Sequence, residues 1–417
     1  MNDPSLPKGF AMPKSTYCSP DWSNNAVILT GGGARAAYQI GVLTALRDVF
    51  RKAGVPSYHN PFPIVCGTSA GAINAAGLAC CADNFAEGVT RLHQVWSSLH
   101  VSQIYRADSL GLFKTGARWL GALSLGWLMR HPPQSLLDNQ PLRQLLTDLF
   151  DRERLQHAFA QQHLQALAVS AISYSTGQHV TFFETPREVV PWQRSQRIAH
   201  KDAITVDHLL SSSAIPFIFP AQALMLGEQK AYFGDGSMRQ LAPISPAIHL
   251  GAKKILVIGS GQLHSDPMLM LDPHSEARYP SLAQIAGQAM ASIFLDSLAV
   301  DIERLERINQ TLSTLNTLPD EVRALVHDKI HLRPIDVLVI APSQRLDLIA
   351  ARHVRSLPST MRGLLKAFGG MDKGGAALAS YLLFEASFTQ ELIALGYADT
   401  VAQQGEVQRF FGLAAIQ

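Results

Sequence analysis

The chain has 417 residues, of which 47% are hydrophobic and 16% charged, with a formal net charge of +2. That length makes one large or two ordinary domains with a sizeable core, and the low, balanced charge excludes the basic footprint of a nucleic-acid binder. Cys18, Cys66, Cys80 and Cys81 have no C-x-x-C spacing, so neither a zinc site nor a disulfide framework is indicated.

Residues 1–25 read as an N-terminal extension without the apolar stretch of a secretory signal. No run of 18 apolar residues follows, so no transmembrane helix is expected and a reduced, cytoplasmic setting is the default. Residues 26–30 (AVILT) predict a buried strand, followed by Gly31-Gly32-Gly33 and a helix from about Arg35 to Lys52. Residues 62–66 (FPIVC) predict a second strand, and "GTSAGAINAAGLACCA" opens a second helix. Strand, glycine turn and helix, repeated, is the rhythm of a parallel α/β sheet.

Residues 109–130 set Leu112, Trp119, Leu120, Leu123 and Trp127 near one face beside Lys114, Arg118 and Arg130. This pattern suits a helix covering the sheet, or an interfacial lid touching membrane lipid. Residues 140–150 predict another helix, and 165–184 alternate and break at Thr176-Gly177 as a hairpin does. Buried strands are expected at 253–259 and 335–341, with one long amphipathic helix over 281–312 between them. The tail from 357 is helical. The expected architecture is a mostly parallel central sheet flanked by helices, α/β/α in three layers, with additional C-terminal helices.

Three local signals carry chemistry. Gly67, Ser69 and Gly71 form G-x-S-x-G between a strand and a helix, the turn that lifts a serine hydroxyl to a helix N-terminus. Gly31 and Gly33, with Ala36, also satisfy the looser G-x-G-x-x-A dinucleotide pattern. That reading wants an acidic residue ending the next strand, where Cys66 stands instead. Bare glycines before a helix serve equally as a cradle of backbone N–H groups for an oxyanion. The third signal is "AYFGDGSM", with Asp235 between Gly234 and Gly236. Asp-Gly is also an ordinary turn, and a carboxylate near its reference pKa is a weak base unless its surroundings raise that value.

Together these residues resemble the patatin-like phospholipases, a family of serine acyl hydrolases. The family's glycine-rich loop matches Gly31, Gly32, Gly33 and Arg35, and its nucleophile elbow matches Gly67-Thr68-Ser69-Ala70-Gly71. Its D-G-G or D-G-A motif matches Asp235 and Gly236, and "SSSAIPFIFPA" (211–221) resembles its A-x-P-x-x-F-P segment. Ala36 and Ser237 depart from the usual residues without removing a catalytic group. The resemblance implies a core over 26–247, with remaining core strands and helices over 248–417. It also implies a Ser69–Asp235 dyad, an oxyanion hole at Gly31–Gly33, an acyl-Ser69 intermediate, a phospholipid or related acyl-lipid substrate, and no metal or cofactor. Arg35 has three open fates: holding the loop, contacting a lipid phosphate, or forming a surface or N-terminal structural ion pair. The competing readings are an α/β-hydrolase triad using His249, His264 or His274, and a non-catalytic lipid-binding protein.

Overall fold

A computed structural model describes residues 20–106, 135–262, 279, 281–315, 317, 332–367, 369 and 376–414. The 109–130 segment, Cys18, His264 and His274 lie outside the described residues.

Among the described residues ten strands form one sheet: β1 Asn25–Leu29, β2 Ile64–Thr68, β3 Ala166–Ser173, β4 His179–Glu184, β5 Gln193–Arg194, β6 Arg197–Lys201, β7 Gln222–Leu226, β8 Gln229–Asp235, β9 Lys254–Ile258 and β10 Asp336–Ile340. The order is β10-β9-β1-β2-β3-β4-β6-β5, with β8 also paired to β3 and β7 to β8. From β10 to β3 every pairing is parallel. The β3–β4 hairpin is antiparallel and turns at Thr176-Gly177, where Gly177 has φ +68°.

Helices cover both faces, as a parallel sheet requires. They are α1 Ala37–Lys52, α2 Ala70–Cys80, α3 Phe85–Ser97, α4 Gln140–Leu149, α5 Arg152–Ala160, α6 Val206–Ser212 and α7 Ser245–His249. After them come α8 Leu282–Leu315, α9 Leu346–His353, α10 Ser359–Ala367, α11 Ala376–Leu382, α12 Ala386–Ala402 and α13 Gln404–Phe411. The alternation of strand side chains produces two cores. Val27, Leu29, Val65 and Leu167 pack toward one face, and Ala26, Ile28, Ile64 and Ala166 toward the other. The central strands thus read as unbroken apolar runs because both of their faces are dry.

The expected strand at 62–66 begins two residues later, since Pro63 cannot donate to the ladder, and it continues through Gly67 to Thr68. The helix expected from Arg35 begins as a 3₁₀ turn, Gly33–Ala36, and becomes α-helical at Ala37. Among the described residues, no helix is long and apolar enough to cross a membrane.

Candidate active site

The sheet register brings Ser69 and Asp235 together. β2 pairs with β3 over Ala166–Ser170, ending at Thr68 opposite Ser170. β8 comes from the other direction and occupies the same side of β3 over Ala171–Ser173, with Asp235 opposite Ala171. Two strands therefore meet end to end along one neighbour. The residue that follows the first and the residue that closes the second become adjacent, although 166 positions separate them.

Ser69 sits at φ 55°, ψ −132°, outside the regions an L-residue normally adopts. Such a conformation costs of order 1–3 kcal/mol and persists only where surroundings over-determine it. Here they do. A Cβ on Gly67 would stand 2.5 Å from the Gly71 carbonyl oxygen, and one on Gly71 would stand 2.2 Å from that of Leu29. Ser69 N–H donates to Ser212 Oγ at 2.8 Å, and that hydroxyl donates to the Ser170 carbonyl at 2.6 Å. Asp235 N–H donates to the Ala214 carbonyl at 3.0 Å. The 212–214 stretch thus holds the backbones of both site residues.

Ser69 Oγ donates to Asp235 Oδ2 at 2.5 Å, and Asp235 Oδ1 accepts Ser237 N–H at 2.9 Å. Both residues are buried. Burial pushes the Asp235 carboxyl up to about 6, against the opposing pull of the Ser69 and Ser237 hydrogen bonds. Its basicity is therefore near that of an imidazole. Gly236 is bare because a Cβ there would fall 2.2 Å from the Ser170 carbonyl oxygen.

The glycine loop has its carbonyls tied and its amides free. Ser260 Oγ donates to the Gly31 carbonyl, and Arg35 N–H donates to that of Gly32 at 3.1 Å. The N–H groups of Gly31, Gly32 and Gly33 donate to nothing among the described residues. Gly33 lies at φ +55°, where a Cβ would stand 2.2 Å from the Tyr381 carbonyl oxygen. Gly33 and Ser69 border the same apolar pocket, walled by Trp96, Leu142, Ile215, Phe219 and Phe384 among others.

Of the fates open to Arg35, the structure shows the one that holds the loop. The side chain is buried, its Nε donates to Ser380 Oγ at 2.7 Å, and its guanidinium lies 4.0 Å from the Tyr381 ring centroid. It fastens the loop to α11. Local sequence reading also missed a buried amide chain. Trp96 Nε1 donates to Asn74 Oδ1 at 2.7 Å, Asn74 Nδ2 to Gln39 Oε1 at 2.8 Å, and Gln39 Nε2 to the Thr30 carbonyl at 2.8 Å. This chain ties the pocket wall to the residue that enters the loop. Its only sequence signal is two polar residues, Gln39 and Asn74, inside largely apolar helical stretches.

His249 lies on α7 across the sheet. Its ring stacks on Trp192 with centroids 4.6 Å apart and belongs with the opposite core. Among the described residues, no histidine hydrogen-bonds to Ser69 or Asp235. No group of three or more potential metal ligands occurs among those residues either.

A strained serine elbow at the end of a parallel strand, a buried aspartate and a bare glycine loop mark an α/β hydrolytic enzyme site. The chain belongs to the patatin-like phospholipase family, whose model matches residues 27–248. It is 28% identical over 228 residues to a cGAMP-activated phospholipase of Pseudomonas aeruginosa, across 52% of this chain and 54% of that protein. The chain spans about half the length of that curated relative. Among solved structures, VipD from Legionella pneumophila superposes with a TM-score of 0.29 at 11% identity, covering 89% of this chain and 67% of VipD. The type III effector ExoU gives 0.27 at 16% identity, with 87% and 78% covered. Superpositions this loose bear on nothing further.

Proposed function

We propose that the chain is a serine acyl hydrolase that cleaves ester bonds of phospholipids or related acyl lipids. The observation that carries this reading is the Ser69 Oγ–Asp235 Oδ2 hydrogen bond of 2.5 Å, formed on a strained elbow beside unpaired glycine amides. Asp235 takes the Ser69 proton as Oγ attacks the ester carbonyl, and the Gly31–Gly33 amides receive the oxyanion. The tetrahedral intermediate expels the alcohol, which leaves with the proton from Asp235. Asp235 then takes a proton from water as its oxygen attacks acyl-Ser69, and returns that proton to Ser69 Oγ as the ester bond breaks and the fatty acid is released. Base and oxyanion donors both come from the protein, so the scheme routes no step through a metal. A buried carboxylate near 6 is a competent base at neutral pH.

The test is intact-mass spectrometry after incubation with a fluorophosphonate, on lipid vesicles, for wild type, Ser69→Ala and Asp235→Asn. The expected result is one adduct that maps to Ser69, vanishes in Ser69→Ala and slows sharply in Asp235→Asn. Running it with and without cGAMP tests whether the property in the relative's name extends here. No adduct on folded wild type under any of these conditions would refute the proposal.

A further inference from the structure

Strands β4, β6 and β5 set three basic residues in one row. His179 on β4 stands beside Arg197 on β6, and Arg197 stands directly opposite Arg194 on β5. Residues paired in this way project from the same face of the sheet. It is the face of Ala168, Phe183 and Ala199, away from the core that borders Ser69. α8 packs Leu298 and Leu305 on that face, and its Asp301 and Arg304 lie about one helical turn apart beside them.

Like charges directly opposite each other weaken a sheet, and no contact here neutralises them. Among the described residues, none of Arg194, Arg197 and Arg304 comes within ion-pair distance of a carboxylate. Asp301 is the acid whose charge reaches Arg197 and Arg304, and its Oδ2 is taken by the Ile244 N–H at 3.0 Å. Burial pulls the Arg197 pKa down; Asp301 opposes this, while Arg304 and Arg194 add to it. Burial and then the charges of Arg194 and Arg197 also depress His249 on α7, so both guanidinium groups lie on the helix-covered side.

The inner end of the row is a polar atom without a partner. His179 is 3% exposed, and its Nε2 has no hydrogen bond among the described residues. Burial, then the charge of Arg197, lowers its pKa to about 4, so the ring is neutral at physiological pH. A buried ring nitrogen left unpaired is costly, which makes it a point where a ligand gains a hydrogen bond. Arg239 supplies the contrast, because its donors are used. Its Nη1 donates to the Gly177 carbonyl and its Nη2 to Gln196 Oε1, both at 2.8 Å. Gln196 lies between Arg194 and Arg197 at φ 59°, and its carbonyl accepts the His179 N–H at 3.0 Å. The tight β5–β6 turn is thus locked, and it holds the two free arginines on one face.

We propose that His179, Arg194, Arg197 and Arg304 form a binding site for a phosphate group, with the guanidinium groups supplying charge and His179 Nε2 the inner hydrogen bond. The site goes beyond the hydrolytic reading, and no step at Ser69 depends on it. Among the described residues three arginines face one carboxylate there, so the site lacks negative charge and repels a metal cation. A guanidinium fork matches two phosphate oxygens at once. Soluble phosphoesters and lipid head groups share this chemistry, and the test separates them.

The test is isothermal titration calorimetry of the full chain with inorganic pyrophosphate, beside co-sedimentation with phosphatidylcholine vesicles made with and without phosphatidylglycerol. The proteins are wild type, Arg197→Gln, Arg304→Gln and Arg51→Gln. Arg51 is an exposed arginine of α1, so its variant controls for the loss of one charge. For a soluble ligand, pyrophosphate affinity is expected to fall about tenfold or more in the first two variants and to stay within about twofold in Arg51→Gln. Sedimentation that requires phosphatidylglycerol and follows the same variant pattern, without pyrophosphate binding, assigns the phosphate to a lipid head group. In protein carrying isotope-labelled histidine, the assigned His179 ring resonance should shift on adding pyrophosphate, or a short-chain soluble phosphatidylglycerol in the lipid case. That readout needs no arginine variant to fold. Failure of wild type to bind either probe overturns the proposal. So does affinity unchanged in both arginine variants, equal weakening by Arg51→Gln, or binding that leaves His179 unmoved.

Discussion

Replacing Asp235 by Asn separates what this residue does for catalysis from what it costs the fold. Burial raises its carboxyl from 3.8 to about 6, so at neutral pH the folded protein holds a charge that the unfolded chain would hold more readily. Two units at about 1.36 kcal/mol each give roughly 3 kcal/mol. The sign follows from linkage: with the folded value above the unfolded one, the stabilising contribution is full below about pH 3.8 and is lost as pH rises through about 6. Asn keeps the shape and an oxygen for the Ser237 N–H without the charge. Asp235→Asn is therefore expected to match wild type near about pH 4 and to exceed it by up to about 3 kcal/mol near about pH 8. Its kcat/KM should fall by about 10³ or more, because no base remains for Ser69. The wild-type kcat/KM should rise about tenfold per pH unit up to an apparent pKa near 6, then stay flat. Urea unfolding of both proteins across that range, with the wild-type pH–rate profile, checks all three. A profile flat between about pH 5 and 7, or a stability difference independent of pH, would refute the buried-base argument.

Three further perturbations probe the surroundings. Gly33→Ala places a methyl 2.2 Å from the Tyr381 carbonyl oxygen at φ +55°. It should lower kcat by about 10² or more and cost about 1–3 kcal/mol in unfolding experiments; an unaffected kcat would separate the loop from the chemistry. Arg35→Met breaks the Ser380 bond and the Tyr381 contact while roughly preserving length. A loss of about 2 kcal/mol and about 10² in kcat is expected, with KM little changed; a KM effect alone would instead favour substrate contact. Burial lowers the His249 pKa to about 4, and the ring stacks on Trp192 away from Ser69. His249→Gln should keep kcat/KM within about twofold and cost about 1 kcal/mol of stacking; a loss as large as that of Ser69→Ala would revive a triad.

The sequence displays Ser69 and Asp235 because each stands among glycines that nothing but close backbone approach requires. It does not display their adjacency, which arises from β2 and β8 sharing one side of β3. The β7–β8 hairpin that delivers Asp235 escaped notice, although Gln222–Leu226 and Gln229–Asp235 flank a two-residue turn at Gly227. Tyr232 and Met225 are exposed, so its apolar residues do not alternate cleanly enough to announce a strand. Short α5 and α9 were missed for a related reason, since neither is long enough to build a periodic pattern. Gln39, Asn74 and Ser380 are invisible to motif reading because each is a single polar residue whose partner lies elsewhere in the chain, and the run Ser211–Ser213 does not reveal which serine reaches Ser69. Arg35 stood in plain view, yet whether it points outward or inward depends on α11, some 340 residues away.

That distance bears on what makes the site complete. The stretch matching the family model ends at residue 248, and it contains Ser69, Asp235 and the glycine loop. The pose of the loop is set from beyond it. Ser380 and Tyr381 receive Arg35, the Tyr381 carbonyl abuts Gly33, and Phe384 walls the pocket. α1, which the loop enters, is fixed by α12 at near backbone contact. A Cβ on Gly41 would stand 2.0 Å from the Ile393 carbonyl oxygen, and one on Gly396 would stand 2.1 Å from that of Tyr38. Tyr38 then donates to Asp399 at 2.9 Å, and Asp399 accepts both the N–H and the hydroxyl of Ser343. In the role proposed above for the Gly31–Gly33 amides, donors act through preorganisation, so a displacement of an ångström there would remove most of their effect. The C-terminal helices therefore belong to the site as much as the motif residues do, and their packing sets whether the three free amides converge beside Ser69.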